Sequence, residues 1–208
     1  MSRRSSFTWL PLLALALAAC SDGGPVAPDA DLDLPGVEPL EAAVPDLAPD
    51  AGTAGTERYV PTLGRVFLRA VPVVRERAGK DAADRLVTQA RTLHQAVKEA
   101  RDAEDQAALG EAMRKLEGFQ AGVGVRVFGV KLVRHVHGDA AAKLQKLGEQ
   151  VKAAEEAGQD VTRQKAGAQL ARRHLAAARD AAGKERPVVA LIHAAHALDL
   201  VVRVAASL

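Results

Sequence analysis

The stretch that decides the fold is "RPVVALIHAAHALDL", residues 186–200 of a 208-residue chain. Its side chains are apolar apart from two histidines, an aspartate and the first arginine. A helix that is hydrophobic on nearly every side is typical of the centre of a protein core. Pro187 suits the first turn of a helix, where the missing N–H costs nothing. We therefore predict an apolar helix from Pro187 to Ala206 at the centre of a bundle.

Two earlier segments share this apolar character, "RVFLRAVPVVRERAG" from Arg65 and "RVFGVKLVRHVHG" from Arg126. The three apolar segments begin at Arg65, Arg126 and Arg186, and these first residues are almost evenly spaced along the chain. After the first two, "GKDAADRL" at Gly79 and "GDAAAKLQ" at Gly138 also match, at nearly the same spacing. This pattern predicts an internal duplication of about 60 residues, present twice with a partial third start.

Amphipathic stripes at helical spacing fill the intervals between these segments. They consist of Leu86, Ala90, Leu93 and Val97; of Leu109, Ala112, Leu116 and Phe119; of Leu144, Leu147, Val151 and Ala154; and of Ala168, Ala171, Leu175 and Ala178. Asp81, Asp139 and either Asp160 or Thr162 are the predicted helix starts. The prediction is an all-α fold, a bundle of five to seven helices over residues 58–208.

Two places within these patterns leave the local structure open. Pro72 should kink or end the first apolar helix, because proline lacks the N–H that an interior position donates. The valines of "AGVGVRVFG", residues 121–129, alternate as they would in a strand. A helix is favoured there because valines at positions 123, 127, 130 and 133 also follow helical spacing.

Residues 20–57 precede this domain and differ from it in composition. Residues 21–57 hold six of the ten prolines and nine acidic residues, with no Lys or Arg. Such a composition cannot bury enough apolar surface to offset the entropy of ordering, which predicts a disordered tether. It is either a plain spacer or an acidic strap that docks on the domain.

Residues 1–19 have the pattern of a secretory signal peptide. Arg3 and Arg4 precede an almost wholly apolar run from Phe7 to Ala19, which ends in small residues. An apolar run of this length is too short to cross a bilayer core of about 30 Å.

The end of the signal peptide and the residue after it form the stretch Leu17-Ala18-Ala19-Cys20, which contains the only cysteine of the chain. This stretch closely resembles the lipobox of bacterial lipoproteins, and the resemblance covers only residues 1–22. It implies cleavage before Cys20, a diacylglyceryl group on its thiol and an acylated amino terminus. In that family an Asp after the cysteine retains the protein in the inner membrane. Ser21 therefore implies an outer-membrane anchor facing the periplasm.

The charge of the chain is segregated. Residues 58–208 hold 26 Lys and Arg against 17 Asp and Glu, a formal net charge of +9. A basic domain favours anionic partners, although solvated helix faces give the same composition. The domain has no Trp and one Tyr, which argues against a stacking platform for nucleic acid.

Sequence motifs of common enzymes, such as a phosphate loop, HExxH or a Cys–His pair, do not occur. His193 and His196 are three positions apart, so they share a helix face with Asp199. These three residues could bind a divalent metal, or a histidine could ligate haem. The alternative is a core histidine, with Asp199 paired to Arg203.

The other histidines show no spacing that would let two of them bind one ligand together. His135 and His137 point to opposite sides of a helix and could form a pH-sensitive patch only if that helix is frayed. His94 and His174 are predicted to lie at the boundary of the core. The leading hypothesis is a non-enzymatic, lipid-anchored interaction module at the bacterial envelope, which uses its basic surface or a groove between the repeats to hold a protein or an anionic component. A metal- or haem-binding envelope protein is the alternative.

Overall fold

The computed structural model describes residues 60–208, which form five helices and no strand. They are α1 (Pro61–Ala78), α2 (Lys80–Asp102), α3 (Gln106–Glu156), α4 (Thr162–Gly183) and α5 (Pro187–Ala205). The all-α prediction is confirmed, and the described residues form a helical bundle. The predicted signal peptide (1–19), Cys20 and the predicted tether (20–57) lie outside the described residues.

The predicted apolar helix is α5, and it lies at the centre of the bundle. It packs against α3 and α4 and also contacts α1. Within residues 60–208 it is the one helix long and apolar enough to cross a membrane. Its most apolar window of 18 residues has a mean hydropathy of 1.8. Of the same window, 56% is buried inside the bundle. Its apolar surface is therefore largely covered by the neighbouring helices.

A sharp bend at Gly129 divides α3 into two arms. Gly129 has φ 67° and ψ −173°, a conformation that glycine adopts easily because it has no Cβ. The first arm, residues 106–128, packs against α1 and α2. The second arm, residues 130–156, contributes to the core shared with α4 and α5. Residues 121–129 are helical, so the alternative of a strand is wrong there.

The first arm of α3 passes close to both α1 and α5 at Gly124. A Cβ at this position would clash with Val66 of α1. It would also lie 3.5 Å from a methyl group of Leu191 on α5. The absence of a side chain at Gly124 therefore allows three helices to meet. This contact joins α1 and the first arm of α3 to α5.

One predicted helix start was wrong, and the other two agree with the structure to within two residues. Asp139 lies inside α3, where it forms an ion pair with Lys143 at 2.7 Å. Asp81 is the second residue of α2, which begins after Gly79. Asp160 does precede α4, and its Oδ1 accepts from the backbone N–H of Thr162 at 3.0 Å.

The two glycines aligned by the proposed duplication have different surroundings. Gly79 separates α1 from α2 and has φ 87°, whereas Gly138 lies within the second arm of α3. The bend that resembles Gly79 in φ and ψ is at Gly129. The helix α3 continues through Gly138, so the two matching segments differ in structure at this position.

Pro72 lies inside α1 and does not end it, since the helix continues to Ala78. Proline removes the N–H that would bond to the carbonyl of Leu68. Both residues face solvent, with Leu68 69% exposed, so water can satisfy that carbonyl. The exposed position explains why the helix tolerates the proline.

Candidate functional site

Three histidines and one glutamate meet where α3, α4 and α5 pack together. The Nδ1 atoms of His174 and His193 lie 3.2 Å apart. The ring of His174 also stacks on that of His196, with centroids 5.2 Å apart and planes inclined by 11°. The Nε2 of His196 lies 3.0 Å from Oε2 of Glu117. We call these four residues the histidine cluster.

Each member of the cluster is held in position by its helix. His193 and His196 are one turn apart on α5, so both side chains point to the same side. His174 comes from α4 and is half-buried between them. Glu117 comes from the first arm of α3, and its side chain is only 9% exposed. A carboxylate so buried needs a partner, and His196 supplies it by donating from Nε2.

The surroundings of His174 favour its neutral form. Burial, together with smaller contributions from the charged forms of His196 and His193, lowers the pKa of His174 to about 4. Its ring is therefore neutral at neutral pH. The contact between the two Nδ1 atoms then requires that one carries a proton and the other accepts it.

Asp199, the third predicted metal ligand, has a different role. Its carboxylate is buried and accepts from the backbone N–H of Thr62 at 3.0 Å and from the Thr62 hydroxyl at 2.6 Å. The guanidinium of Arg65 lies 3.6 Å away. These partners belong to the first turns of α1, where unpaired N–H groups favour a negative charge.

The structure therefore does not bring the side chains of His193, His196 and Asp199 together. Among residues 60–208, no three His, Cys, Asp or Glu side chains are placed to hold one metal ion. The physical reason is that the Asp199 carboxylate is occupied at the start of α1. The alternative pairing with Arg203 is also wrong for the described residues, since Asp199 pairs with Arg65 instead.

Two members of the cluster were not predicted from the sequence. The sequence predicts only a boundary position for His174 and no role for Glu117. A signal for Glu117 exists in "KLEGFQAGVGV", residues 115–125, where a charged residue stands within a run of mostly apolar and small ones. Nothing in the local sequence of His174 indicates that it reaches His193.

The remaining histidines do not join the cluster. His135 is exposed on α3, and His94 is exposed on α2. His137 is half-buried, and burial and the nearby charge of Arg179 lower its pKa. The segment is helical rather than frayed, so the condition for a patch of His135 and His137 is not met.

A second feature is the outward side of α1, which carries Arg65, Leu68, Arg69, Pro72 and Arg75. These residues recur every three or four positions, so they share one face of the helix. We call them the arginine face. Within residues 60–208, neither Arg69 nor Arg75 forms an ion pair. The face therefore presents charged groups and an exposed leucine to solvent.

No protein-family model, curated protein or solved structure matches this chain. The functions of the histidine cluster and the arginine face therefore have to be inferred from their own chemistry.

Proposed function

We propose that this protein is a lipid-anchored envelope protein whose helical domain binds the phosphate groups of anionic lipids through the arginine face. The observation that carries this function is the face itself: three arginines with one exposed leucine on the first helix. Guanidinium groups form bidentate hydrogen bonds with phosphate oxygens, and they remain charged at every physiological pH.

Arg69 and Arg75 are available to bind an anion, as are the other arginines of residues 60–208 apart from Arg65, since none of these forms an ion pair. Many of the lysines in the domain have an acidic partner, such as Lys143 with Asp139 and Lys184 with Asp180. Arg69 and Arg75 have none among residues 60–208. An unpaired guanidinium does not have to lose an existing ion pair before it binds a phosphate.

Leu68 adds an apolar contribution to the same face. It is 69% exposed and lies between Arg65 and Arg69 in position along the helix. Helices that lie on a membrane surface combine basic residues with apolar side chains that enter the boundary between head groups and acyl chains. A leucine among arginines suits a lipid surface better than it suits a soluble polyphosphate.

The proposed anchor would bring the domain to that surface. The resemblance of residues 17–20 to a lipobox implies acyl chains on Cys20, and at least two chains are needed for stable anchoring. A tether of this kind turns the binding of the face into an intramolecular event at high effective concentration. Weak attraction by a few arginines would then be sufficient.

Vesicle binding tests the function of the face. We would use the chain from Ser21 onward, which lacks Cys20 and its acyl chains, with phosphatidylglycerol or phosphatidylcholine vesicles. The test variant is Arg69→Gln/Arg75→Gln, and the control is Arg85→Gln/Arg91→Gln on α2, which removes the same charge from exposed positions. At about 1 kcal/mol per arginine, the test variant should bind phosphatidylglycerol about 30-fold more weakly than the parent.

The control variant should bind nearly as well as the parent. Equal loss in both variants would mean that only net charge matters, and equal binding by all three would refute the role of the face. Binding to soluble polyphosphate but not to vesicles would identify a phosphate polymer as the ligand instead of a membrane. Binding that does not weaken with added salt would also contradict the electrostatic contribution.

A separate experiment tests the anchor. Cells labelled with a palmitate analogue should yield a labelled parent protein and an unlabelled Cys20→Ser variant. Labelling of both would show that the lipid is not on Cys20.

A further inference from the structure

We propose that His174 and His193 bind one divalent transition-metal ion of the zinc class through their Nδ1 atoms. This site lies on α4 and α5, so it is independent of the arginine face on α1. It also differs from the ligand set predicted from the sequence, because His174 replaces Asp199 and His196 does not contact the ion.

The distance between the two nitrogens fits a shared ion. Bonds of about 2.0–2.1 Å from zinc to two nitrogens that lie 3.2 Å apart enclose an angle of about 100°, close to tetrahedral. The two ring centroids are 5.5 Å apart, so the Nδ1 atoms face each other across the gap. Each ring would turn by about 40° so that both lone pairs point to one ion beside the line that joins the two Nδ1 atoms.

The protonation of the rings is compatible with this chemistry. In the metal-free protein, one Nδ1 carries the proton that the other accepts. Binding moves that proton to Nε2 of the same ring, so both Nδ1 lone pairs become free and no net proton is released.

His196 would hold the ring of His174 in position, and Glu117 would balance part of the charge of the ion. The ring of His196 stacks on His174 at 5.2 Å and thereby limits the planes that His174 can adopt. Glu117 fixes His196 through Nε2 and adds a negative charge near the cation. Two imidazoles leave the other coordination positions to water, as in open zinc sites. Imidazole ligands suit Zn²⁺, Co²⁺, Ni²⁺ and Cu²⁺ and not Mg²⁺ or Ca²⁺.

The experiment uses the tag-free full chain in detergent, in a Cys20→Ser background that removes the only competing thiol. Zn²⁺ binding is measured by calorimetry, and Co²⁺ is added separately because tetrahedral Co²⁺ absorbs visible light strongly. The parent should bind one ion per chain. His174→Gln and His193→Gln should each bind at least about tenfold more weakly, since even partners that only orient a ligand contribute about that much.

His135→Gln is the matched control, because His135 is exposed on α3 and outside the cluster. It should bind Zn²⁺ as the parent does. Equal affinity in the parent, His174→Gln and His193→Gln would overturn the site, and so would a parent that binds no Zn²⁺. Circular dichroism checks that each variant is folded.

A second measurement keeps the test valid if a variant does not fold. In the ¹⁵N spectrum of the parent, Zn²⁺ should shift the Nδ1 signals of His174 and His193 and leave that of His135 in place. Shifts confined to His94, His135 or His137 would refute the site. Neither experiment depends on lipid binding, so its outcome is separate from that of the arginine face.

Discussion

The two halves of the bundle are built from different kinds of core. The half around α5 has a large core rich in alanine, with Ala171, Ala190, Ala194, Ala195 and Ala197 fully buried. The half formed by α1, α2 and the first arm of α3 has smaller cores with larger side chains. In one of these, the rings of Phe67 and Phe119 meet with centroids 5.6 Å apart.

This difference is related to where the functional groups lie. Short alanine side chains let α4 and α5 approach closely, which brings His174 against His193 and His196. The α1 half presents its functional groups outward, on the arginine face, and its core only has to hold that helix in place. Close packing should be sensitive to added volume, whereas an aromatic core should be sensitive to lost volume.

The largest effect is expected from lost volume in the aromatic core. Phe119→Ala should lower the free energy of unfolding by about 3–5 kcal/mol, because it removes a buried ring and leaves a cavity. Phe119 is only 3% exposed. Urea unfolding followed by circular dichroism measures the change, and Leu68→Ala on the exposed side of α1 is the control. A loss no larger than that of the control would contradict the aromatic core.

The next largest effect is a pH dependence that belongs to the α5 half. The pKa of His174 is about 4 in the folded protein and ordinarily 6.5. Between these values the unfolded chain binds the proton more strongly, so stability is fully present above about pH 6.5 and falls as the pH is lowered to about 4. The shift corresponds to about 3 kcal/mol.

Urea unfolding of the parent and of His174→Gln near neutral pH and near pH 4 measures this contribution. The parent should lose more stability than His174→Gln on acidification, because glutamine does not titrate. His135→Gln, at an exposed position, should behave as the parent does. Identical losses in the parent and His174→Gln would show that His174 is not held neutral by its surroundings.

A third prediction concerns added volume in the alanine-rich core around α5. Ala195→Leu adds three carbons at a position of α5 that is 0% exposed. Overpacking of this kind should cost about 1–3 kcal/mol, measured by thermal or urea unfolding. Ala176→Leu on the exposed side of α4 is the matched control and should change stability by less than about 0.5 kcal/mol. If Ala195→Leu lowered stability no more than Ala176→Leu does, the alanine-rich core would not be sensitive to added volume.

The sequence predicted the elements of both halves better than the contacts between them. The apolar helix α5 was predicted from Pro187 onward, because composition and proline placement are local signals. The bend at Gly129 was not predicted, since a glycine adopts helical and left-handed conformations about equally well. Its position therefore depends on how the two arms of α3 pack.

The same distinction applies to the candidate site. The shared face of His193 and His196 follows from their spacing on one helix. Contacts with Glu117, which is 79 residues from His196, depend on tertiary packing that no local pattern encodes. Asp199 shows this most clearly, because its predicted partner was one helical turn away and its actual partner, Thr62, is 137 residues away.

The smallest of the four effects concerns this link between the halves. In Asp199→Asn one of the two oxygens that accept from Thr62 becomes an amide NH₂, so one of these hydrogen bonds is lost together with the negative charge near the start of α1. Hydrogen bonds to charged groups contribute about 1 kcal/mol more than neutral ones, so the free energy of unfolding should fall by at least that amount. Asp180→Asn, at an exposed position of α4, is the control.

A double-mutant cycle with Thr62→Val separates this link from other effects of the substitution. If Asp199 acts mainly through Thr62, the cost of Asp199→Asn should be smaller in the Thr62→Val background than in the parent, because the hydroxyl that donates at 2.6 Å is already absent. Costs that simply add would mean that the two residues are not coupled. Since Asp199 joins α5 to the first turn of α1, a measured coupling would also show that the arginine face is held in place by the same helix that carries His193 and His196.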